Sequence, residues 1–447
     1  MGAGKAPCAE ASSGSGGLAI KTVGRNAEAK PCDRERTGNP LTMPKPNEQF
    51  LTAIDVGSAK TCVLVAEFTE NGLRYRGHGL ADSRGSRKGI IVDLERAVAT
   101  IQKAVERAED SAGIPIEHAF LGVSGSHVRG VNTHGGLVFG RSREIGREEI
   151  RQAVDKARAI PLPPDREVLH LLPQEFILDE QHGVHDPLGM IATRLEVRVH
   201  MITAATSATQ NVITAVNRAG VHVDDTVFEP LACADSVLRS DERELGICLA
   251  DIGAGSTNLV VIQEGAVAHS AVLPVGGDHF TSDLSVGLCT PLIESEKIKK
   301  LFGNAIVTLI PEGNEVEVPC VGDRPSRMVS QRLIGEILEP RARELFEMLR
   351  ENLRHAGMLE VCAAGVVISG GGSRLPGLMD IADSVLRKPV RMAWPVPIAK
   401  MPSALAEPEF ATVLGMVVYG HRARTARGAQ DERWSSKLKS MLVGKGA

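Results

Sequence analysis

Short apolar runs that end at glycine turns recur along the chain. Two of them, Leu245–Ala250 and Leu259–Ile262, are separated by a tight acidic and glycine-rich turn. Runs of this length bounded by glycine predict buried strands, and the short turn predicts a hairpin. Phe50–Val56 and Thr61–Phe68 repeat this layout about two hundred residues earlier. The pattern therefore predicts two strand–turn–strand units, one in each half of the chain.

Between these strands lie segments whose apolar positions recur with helical spacing. The predicted helices are Leu94–Ala112, Glu229–Leu238, Gln331–Arg354, Leu375–Leu386 and Phe410–Tyr419. We expect Glu229–Leu238 to connect the two halves and Phe410–Tyr419 to close the fold by packing back on the first half. Strands alternating with helices predict an α/β protein.

Three segments lack such a pattern. Residues 1–47 are rich in Gly, Ser, Ala and Pro, which predicts a disordered extension, and Met43 is a plausible start. Residues 303–325 are polar and punctuated by turns, which predicts a small β-rich insert. Residues 421–430 have no apolar face and are predicted to be a linker.

The last segment, 431–447, regains helical periodicity. Its apolar positions are Trp434, Leu438, Met441 and Leu442, and its basic ones are Arg433, Lys437 and Lys439. An apolar stripe framed by basic residues predicts an amphipathic helix at a membrane surface. The alternative is a helix docked on the body of the protein.

Composition narrows the possible functions. The 447 residues are 43% hydrophobic and 24% charged, which suits a globular protein of two or more domains. A net charge of −4 and only 3% aromatic residues argue against nucleic-acid binding. The eight cysteines form no C-x-x-C pair, as expected for thiols in a reducing cytoplasm. We find no signal peptide or membrane-spanning run, so we expect a cytoplasmic, soluble body.

The two hairpins carry candidate chemistry. Asp55 ends the first strand of one and Asp251 that of the other, each beside a glycine turn. Glycine turns let backbone N–H groups approach phosphate oxygens, and a carboxylate can hold Mg²⁺ through water. A third glycine turn, Gly370–Gly372, again follows an apolar strand. Two acidic hairpins followed by a glycine-rich turn resemble the ordered signature of actin-like ATPases.

A more specific resemblance lies between these elements. Asp186–Met190 and Leu195–His200 resemble the bacterial cell-division protein family FtsA, and the similarity extends over about residues 48–447. It implies the duplicated ribonuclease H-like fold of actin, with an inserted subdomain 1C in place of 1B and a C-terminal amphipathic helix. The implied divisions are 1A at 48–116, 197–240 and 401–420; 1C at 117–196; 2A at 241–275 and 331–400; and 2B at 276–330.

The resemblance also assigns a site for ATP and Mg²⁺, with Asp55 and Asp251 near the metal. The residues implied in nucleotide binding are Gly57, Ser58, Lys60, Gly253, Gly255, Ser256, Asn258, Gly276, Gly277, Glu296, Lys299, Lys300, Gly370, Gly371, Gly372 and Arg374. A solvated helix face would equally explain the charges of Glu296 and Lys299. Glu229 would orient the attacking water, or it is simply an acid at a helix N-terminus. ATP binding, with weak hydrolysis at most, is the implied activity.

The implied role is to polymerise on the inner leaflet of the cytoplasmic membrane and tether the FtsZ ring at the division site. FtsZ would bind subdomain 2B through its C-terminal peptide, with Arg327 and Arg332 as the candidate contacts by charge. Later division proteins would bind 1C. The alternatives are an actin-fold small-molecule kinase, for which we find no convincing substrate carboxylate, and a shape-determining or pilus-assembly actin homologue.

Overall fold

The computed structural model describes residues 49–322 and 324–425, in which strands and helices alternate. The strands are β1 (Phe50–Val56), β2 (Lys60–Thr69), β3 (Gly72–Asp82), β4 (Ser86–Arg87), β5 (Ile90–Ile91), β6 (His118–Val123), β7 (Arg129–Glu144), β8 (Arg166–Leu178), β9 (Gln181–Val184), β10 (Ile191–Ala205), β11 (His222–Phe228), β12 (Ile247–Ile252), β13 (Thr257–Gln263), β14 (Ala266–Leu273), β15 (Glu315–Val318), β16 (Arg327–Ser330), β17 (Gly365–Ser369) and β18 (Val390–Met392). The helices are α1 (Leu94–Ala112), α2 (Arg147–Arg158), α3 (Thr206–Arg218), α4 (Glu229–Val237), α5 (Ser240–Leu245), α6 (Gly277–Gly287), α7 (Leu292–Phe302), α8 (Gln331–His355), α9 (Leu378–Leu386) and α10, helical from residue 411 to residue 425.

Two sheets of the same layout form the frame of the described residues. The first has the strand order β3-β2-β1-β6-β11 and the second the order β14-β13-β12-β17-β18. In each sheet the first three strands are antiparallel neighbours and the remaining two run parallel to the central strand. The repetition confirms the duplicated α/β fold, with one acidic hairpin at the centre of each sheet.

Helices cover both faces of the first sheet. On one face α1 buries Ile101 against Val63 and Val65 of β2, and on the other α10 buries Leu414 against Leu64. This packing confirms that the last predicted helix closes on the first half. In the second half, α8 is buried along one stripe against the second sheet, and its buried residues are Ile334, Gly335, Leu338, Ala342, Leu345, Phe346, Leu349 and Leu353. That spacing is the helical period expected from the sequence.

A third sheet, with the order β7-β10-β8-β9, forms the insert together with α2. The strands of this sheet do not begin and end at the bounds predicted for the insert, 117–196. β6 pairs with β1 and β11 and so belongs to the first sheet, whereas β10 continues to pair with β7 and β8 beyond residue 196. The insert sheet therefore runs from Arg129 to Ala205, and α3 follows it directly.

Two further predictions need correction. The segment 303–325, predicted to be β-rich, contains the single strand β15 among its described residues, paired with β16 just beyond it. The predicted linker 421–430 is helical in its first five residues, where α10 continues. Arg422 forms an ion pair with Asp235, and Arg424 lies 3.5 Å from Asp224 Oδ2. These ion pairs hold a polar helical turn that has no apolar face. The predicted extension 1–47 and the remainder of the linker lie outside the described residues.

Candidate functional site

The first acidic hairpin is a tight turn between β1 and β2, with Asp55 opposite Cys62. At Gly57 a Cβ atom would lie 2.8 Å from the carbonyl oxygen of Lys60, so the turn accepts only glycine without a shift of the backbone. A loop after β3 covers this turn. Ser86 Oγ donates a hydrogen bond of 2.9 Å to the Gly57 carbonyl, and the Gly89 amide donates one of 3.3 Å to Ser58 Oγ.

The second hairpin joins β12 and β13, with Asp251 opposite Asn258. The Gly253 amide donates to the Ser256 carbonyl at 2.9 Å, which closes the turn. Gly255 lies against the first half: a Cβ there would be 2.8 Å from Lys88 Cα and 2.9 Å from Ser58 Oγ. The tips of the two predicted phosphate hairpins therefore meet.

Three carboxylates converge behind these tips. Asp251 and Glu229 are buried. Burial raises the pKa of Asp55 to about 6, with Lys60 opposing the rise and Asp251 adding to it. Burial likewise raises the pKa of Asp251 to about 6, opposed by a hydrogen bond from Thr412 and by Lys60. Burial, and then the charge of Asp55, raises the pKa of Glu229 well above its usual value.

The cluster holds more acidic groups than basic ones: Asp55, Asp251 and Glu229 lie near a single lysine, Lys60. Such a site suits a ligand that contains both Mg²⁺ and phosphate. Lys60 Nζ is buried and makes no hydrogen bond; it lies 3.3 Å from Glu409 Oε2 and 3.7 Å from the centre of the Phe410 ring. The Asn258 Oδ1 atom is also buried without a hydrogen-bond partner. A cation would offset the repulsion among the carboxylates, and a phosphate would pair with Lys60. Asp55 and Asp251 are the residues that would hold Mg²⁺, and its chemistry would be to neutralise phosphate charge.

The third glycine turn packs directly on the second hairpin. At Gly370, where φ is 82°, a Cβ would lie 2.4 Å from the Ile252 carbonyl oxygen and 2.5 Å from Asp251 Oδ1. A Cβ at Gly372 would lie 2.6 Å from Ile252 Cγ2. Arg374 Nη1 lies 3.4 Å from Glu407 Oε2, so this turn, which includes Gly371, is also linked to the segment before α10. The structure thus brings the predicted adenosine turn to the carboxylate cluster.

Gly276 and Gly277 form the start of α6 beside the second hairpin, where the Gly277 amide donates to the Gly253 carbonyl at 2.9 Å. Lys299 reaches this turn from α7: its Nζ donates to the Gly277 carbonyl at 2.9 Å and lies 2.6 Å from Glu296 Oε2. The Lys299 side chain is only 14% exposed, so the solvated-face interpretation is wrong for it. Lys300 is 70% exposed and fits that interpretation.

Several residues near the cluster were missed from the sequence. The loop Ser83–Gly89 covers the first hairpin, and Thr412 donates to Asp251 Oδ2 at 3.2 Å from the start of α10. Gly85 and Gly89 adopt φ values of 84° and 74°. Two glycines four residues apart in a polar run after a strand were the available signal for this loop. Thr412 carried no such signal, because its partner lies 161 residues earlier.

The remaining candidates lie away from the cluster or outside the described residues. Arg327 is exposed on β16 and donates to the Leu288 carbonyl at 3.0 Å, and Arg332 at the start of α8 pairs with Glu312. The predicted membrane residues Arg433, Trp434, Lys437, Leu438, Lys439, Met441 and Leu442 lie outside the described residues. Among residues 49–322 and 324–425, no helix combines the length and apolar character needed to cross a membrane.

Known proteins resemble this chain in both sequence and fold. Residues 248–415 match the family model described as "Cell division protein FtsA", and residues 125–203 match "SHS2 domain inserted in FTSA". The Pseudomonas aeruginosa protein named "Cell division protein FtsA" is 40% identical over 373 residues, covering 83% of this chain and 89% of that protein. The Escherichia coli protein of the same name is 34% identical over 412 residues, with 89% and 98% covered.

Solved structures show the same architecture at low sequence identity. A "PilM-PilN type IV pilus biogenesis complex" chain has a TM-score of 0.60 at 17% identity, covering 83% of this chain and 98% of that one. The structure of MreB5 of Spiroplasma citri bound to ADP has a TM-score of 0.52 at 13% identity, covering 86% of this chain and 99% of that one. Together with the paired hairpins, these similarities define an actin-like fold. Within that class, the identity to curated relatives decides the family: the chain belongs to the FtsA family of cell division proteins.

Proposed function

We propose that this protein binds ATP with Mg²⁺ between its two hairpins and, in that state, polymerises on the cytoplasmic membrane and tethers the FtsZ ring. The observation that carries the nucleotide site is the meeting of the Ser58 and Gly255 turns in front of Asp55, Asp251 and Glu229. Backbone amides of both turns would bind phosphate oxygens, and Lys60 would contribute a positive charge.

The rest of the nucleotide would extend toward the second half. Lys299 already contacts the Gly277 carbonyl and Glu296 there, with Gly276 next to Gly277 at the start of α6, and Lys299 would lie near the ribose. Gly370–Gly372 and Arg374 would close over the adenosine. Glu229 would orient the attacking water. Burial, and then the charge of Asp55, raises its pKa well above the usual value, which favours the protonated form of the carboxyl and weakens it as a general base. We therefore expect ATP binding with slow hydrolysis.

In this division role, the protein would lie at the cytoplasmic face of the inner membrane as a peripheral component. The segment 431–447 would insert its apolar stripe into the inner leaflet. The core would assemble through contacts between copies of the chain, and the insert would recruit later division proteins. Subdomain 2B would bind the FtsZ C-terminal peptide.

Liposome co-sedimentation tests the tether directly. With ATP and anionic liposomes, we expect the full chain to pellet and to bring FtsZ with it, while a chain truncated after Ala429 stays in the supernatant. The Leu438→Glu variant should behave like the truncated chain, because a charge in the apolar stripe opposes insertion. FtsZ remaining soluble beside a pelleted full chain would remove the tether proposal, and pelleting of the truncated chain would remove the role of the terminal segment.

Subdomain 2B has surface chemistry suited to an acidic, apolar peptide. Exposed large apolar side chains lie on α7 and β16, and these are Leu292, Ile293, Leu301, Phe302 and Met328. Arg327 is exposed beside Met328 on β16. Arg332 is held by Glu312, so a peptide carboxylate would have to compete with that glutamate.

The double variant Arg327→Ala/Arg332→Ala is expected to weaken binding of the FtsZ C-terminal peptide about tenfold, since two exposed charge contacts together contribute about 1.4 kcal/mol. Fluorescence anisotropy of the labelled peptide measures this. Glu312→Gln should instead strengthen binding by releasing Arg332, and Arg354→Ala, at the far end of α8, should change nothing. Equal affinity of the double variant and the unmodified chain would exclude these arginines from the site.

A further inference from the structure

Two histidines and an aspartate meet at the edge of the first sheet, apart from the nucleotide cluster. His118 begins β6 and His222 begins β11, and the two are direct partners in the parallel register. Their rings lie 5.2 Å apart between centroids. Asp224 lies two residues along β11, with its Oδ1 2.7 Å from His118 Nδ1 and 3.7 Å from His222 Nδ1. One ligand atom from each residue lies within 4.8 Å of the other two.

The sheet places this triad at the end opposite to the nucleotide cluster. β1, β6 and β11 run parallel, and their carboxyl ends carry Val56, Val123 and Phe228, next to Asp55 and Glu229. His118 and His222 lie at the amino ends of the same strands. The two ends of β6, His118 and Val123, are five residue steps apart, which corresponds to about 16 Å. The triad is therefore not part of the ATP site.

Arg424 on α10 orients the aspartate. Its guanidinium lies 3.5 Å from Asp224 Oδ2 and donates a 2.8 Å hydrogen bond to the Phe50 carbonyl. Arg424 therefore contacts the Oδ2 atom of Asp224, while the Oδ1 atom faces the imidazole rings of His118 and His222. Outer partners that fix a ligating carboxylate in this way are typical of metal sites.

We propose that His118, His222 and Asp224 bind a divalent transition metal ion, zinc in the first instance. Two imidazole nitrogens and one carboxylate oxygen match zinc better than Mg²⁺ or Ca²⁺, which prefer oxygen ligands. The metal would replace the His118–Asp224 hydrogen bond. His118 and His222 are 49% and 68% exposed as side chains, so small rotations can bring the ligand atoms to bonding distance and leave a coordination position open to water. An ion here would join edge strand β11 to β6.

Counting bound zinc in single variants tests the site. The full chain contains 13 histidines and eight cysteines, so its total zinc content is not diagnostic, whereas the difference between variants is. After equilibrium dialysis against buffered ZnCl₂, His118→Gln, His222→Gln and Asp224→Asn should each contain about one equivalent less than the unmodified chain, with zinc affinity at this site at least about tenfold lower. His134→Gln, at an exposed histidine on β7, is the matched control and should keep the full content.

Thermal unfolding in EDTA separates binding from folding. Without metal, the unfolding temperature of each variant gives the contribution of the metal-free contacts, such as the 2.7 Å hydrogen bond between His118 and Asp224, whose side chain is only 25% exposed. Added zinc should raise that temperature for the unmodified chain and His134→Gln more than for the three ligand variants. Equal zinc content in the unmodified chain and the three ligand variants would overturn the site. So would the same loss in His134→Gln.

Discussion

Replacing Gly415 with alanine is expected to destabilise the folded protein by about 3 kcal/mol, at the upper end of the cost of overpacking. Gly415 lies in α10 where this helix crosses α4, and a Cβ there would be 1.7 Å from the Ala232 carbonyl oxygen and 2.3 Å from its carbon. A backbone atom cannot rotate away as a side chain can, so the two helices must separate. Elsewhere in a helix the same change would add up to about 1 kcal/mol of stability.

Urea denaturation with a fluorescence or circular dichroism signal measures this effect. Gly420→Ala in the same helix is the matched control, because its Cβ would meet only side-chain atoms, Leu51 Cδ1 at 2.8 Å and the Phe120 ring at 3.1 Å. The midpoint should fall for both variants, and further for Gly415→Ala, where the clash is shorter and involves backbone atoms. Equal midpoints for both variants would show that the crossing tolerates a methyl group. Because Glu229 begins α4, loss of this crossing should also disturb the carboxylate cluster.

The sequence was most informative where a local rule decides the structure. Each hairpin follows from apolar strands around a tight glycine turn, and Asp55 and Asp251 lie one residue before the ends of the central strands β1 and β12. The third turn is similar, because Gly370 has a positive φ and touches the neighbouring hairpin. Backbone geometry of this kind is encoded within a few residues. The pattern therefore predicted the fold class and much of the cluster.

Contacts between distant residues could not be predicted in the same way. β6 and β10 are both buried strands, and their apolar patterns do not say which sheet each one joins, so the extent of the insert sheet could not be predicted from them. In the sequence, Lys299 looks like any lysine of a charged helix. Its hydrogen bond to the Gly277 carbonyl exists only because α6 and α7 pack together in the fold. Arg422 pairs with Asp235 and Arg424 with Asp224. Because both aspartates lie far earlier in the chain, the local sequence around the two arginines indicated only a polar linker.

Changing Asp251 to asparagine is expected to have opposite effects on stability and on nucleotide binding. In the ligand-free protein its pKa is raised from 3.8 to about 6, chiefly by burial. A raised pKa in a folded acid means that the ionised form destabilises the fold above that pH. The corresponding free energy is about 3 kcal/mol near pH 7.5. Asparagine has nearly the same shape and can still accept the Thr412 hydrogen bond, so much of that cost should disappear.

The pH dependence of the stability of the ligand-free protein follows from the raised pKa of Asp251. Between pH 3.8 and about 6 the folded protein holds the Asp251 proton more tightly than the unfolded chain does, so this group's stabilising contribution is complete at low pH and is lost as the pH rises. Asp55 contributes in the same direction over the same range. Without nucleotide, the unmodified chain should gain stability from these groups between about pH 7.5 and about pH 5.5. Asp251→Asn should show a smaller gain, because one of the two titrations is removed.

Binding of a fluorescent ATP analogue with Mg²⁺ should fall about a hundredfold in Asp251→Asn, equivalent to about 2.7 kcal/mol, since a neutral amide no longer attracts the metal. Asp110→Asn, at an exposed position of α1, controls for the loss of one negative charge and should change neither the unfolding midpoint nor the affinity. A variant that is less stable than the unmodified chain would mean that Asp251 supports the fold. Unchanged affinity would remove Asp251 from the nucleotide site. A more stable protein that no longer binds ATP would indicate that the carboxylate is retained for its ligand, at the expense of the ligand-free fold.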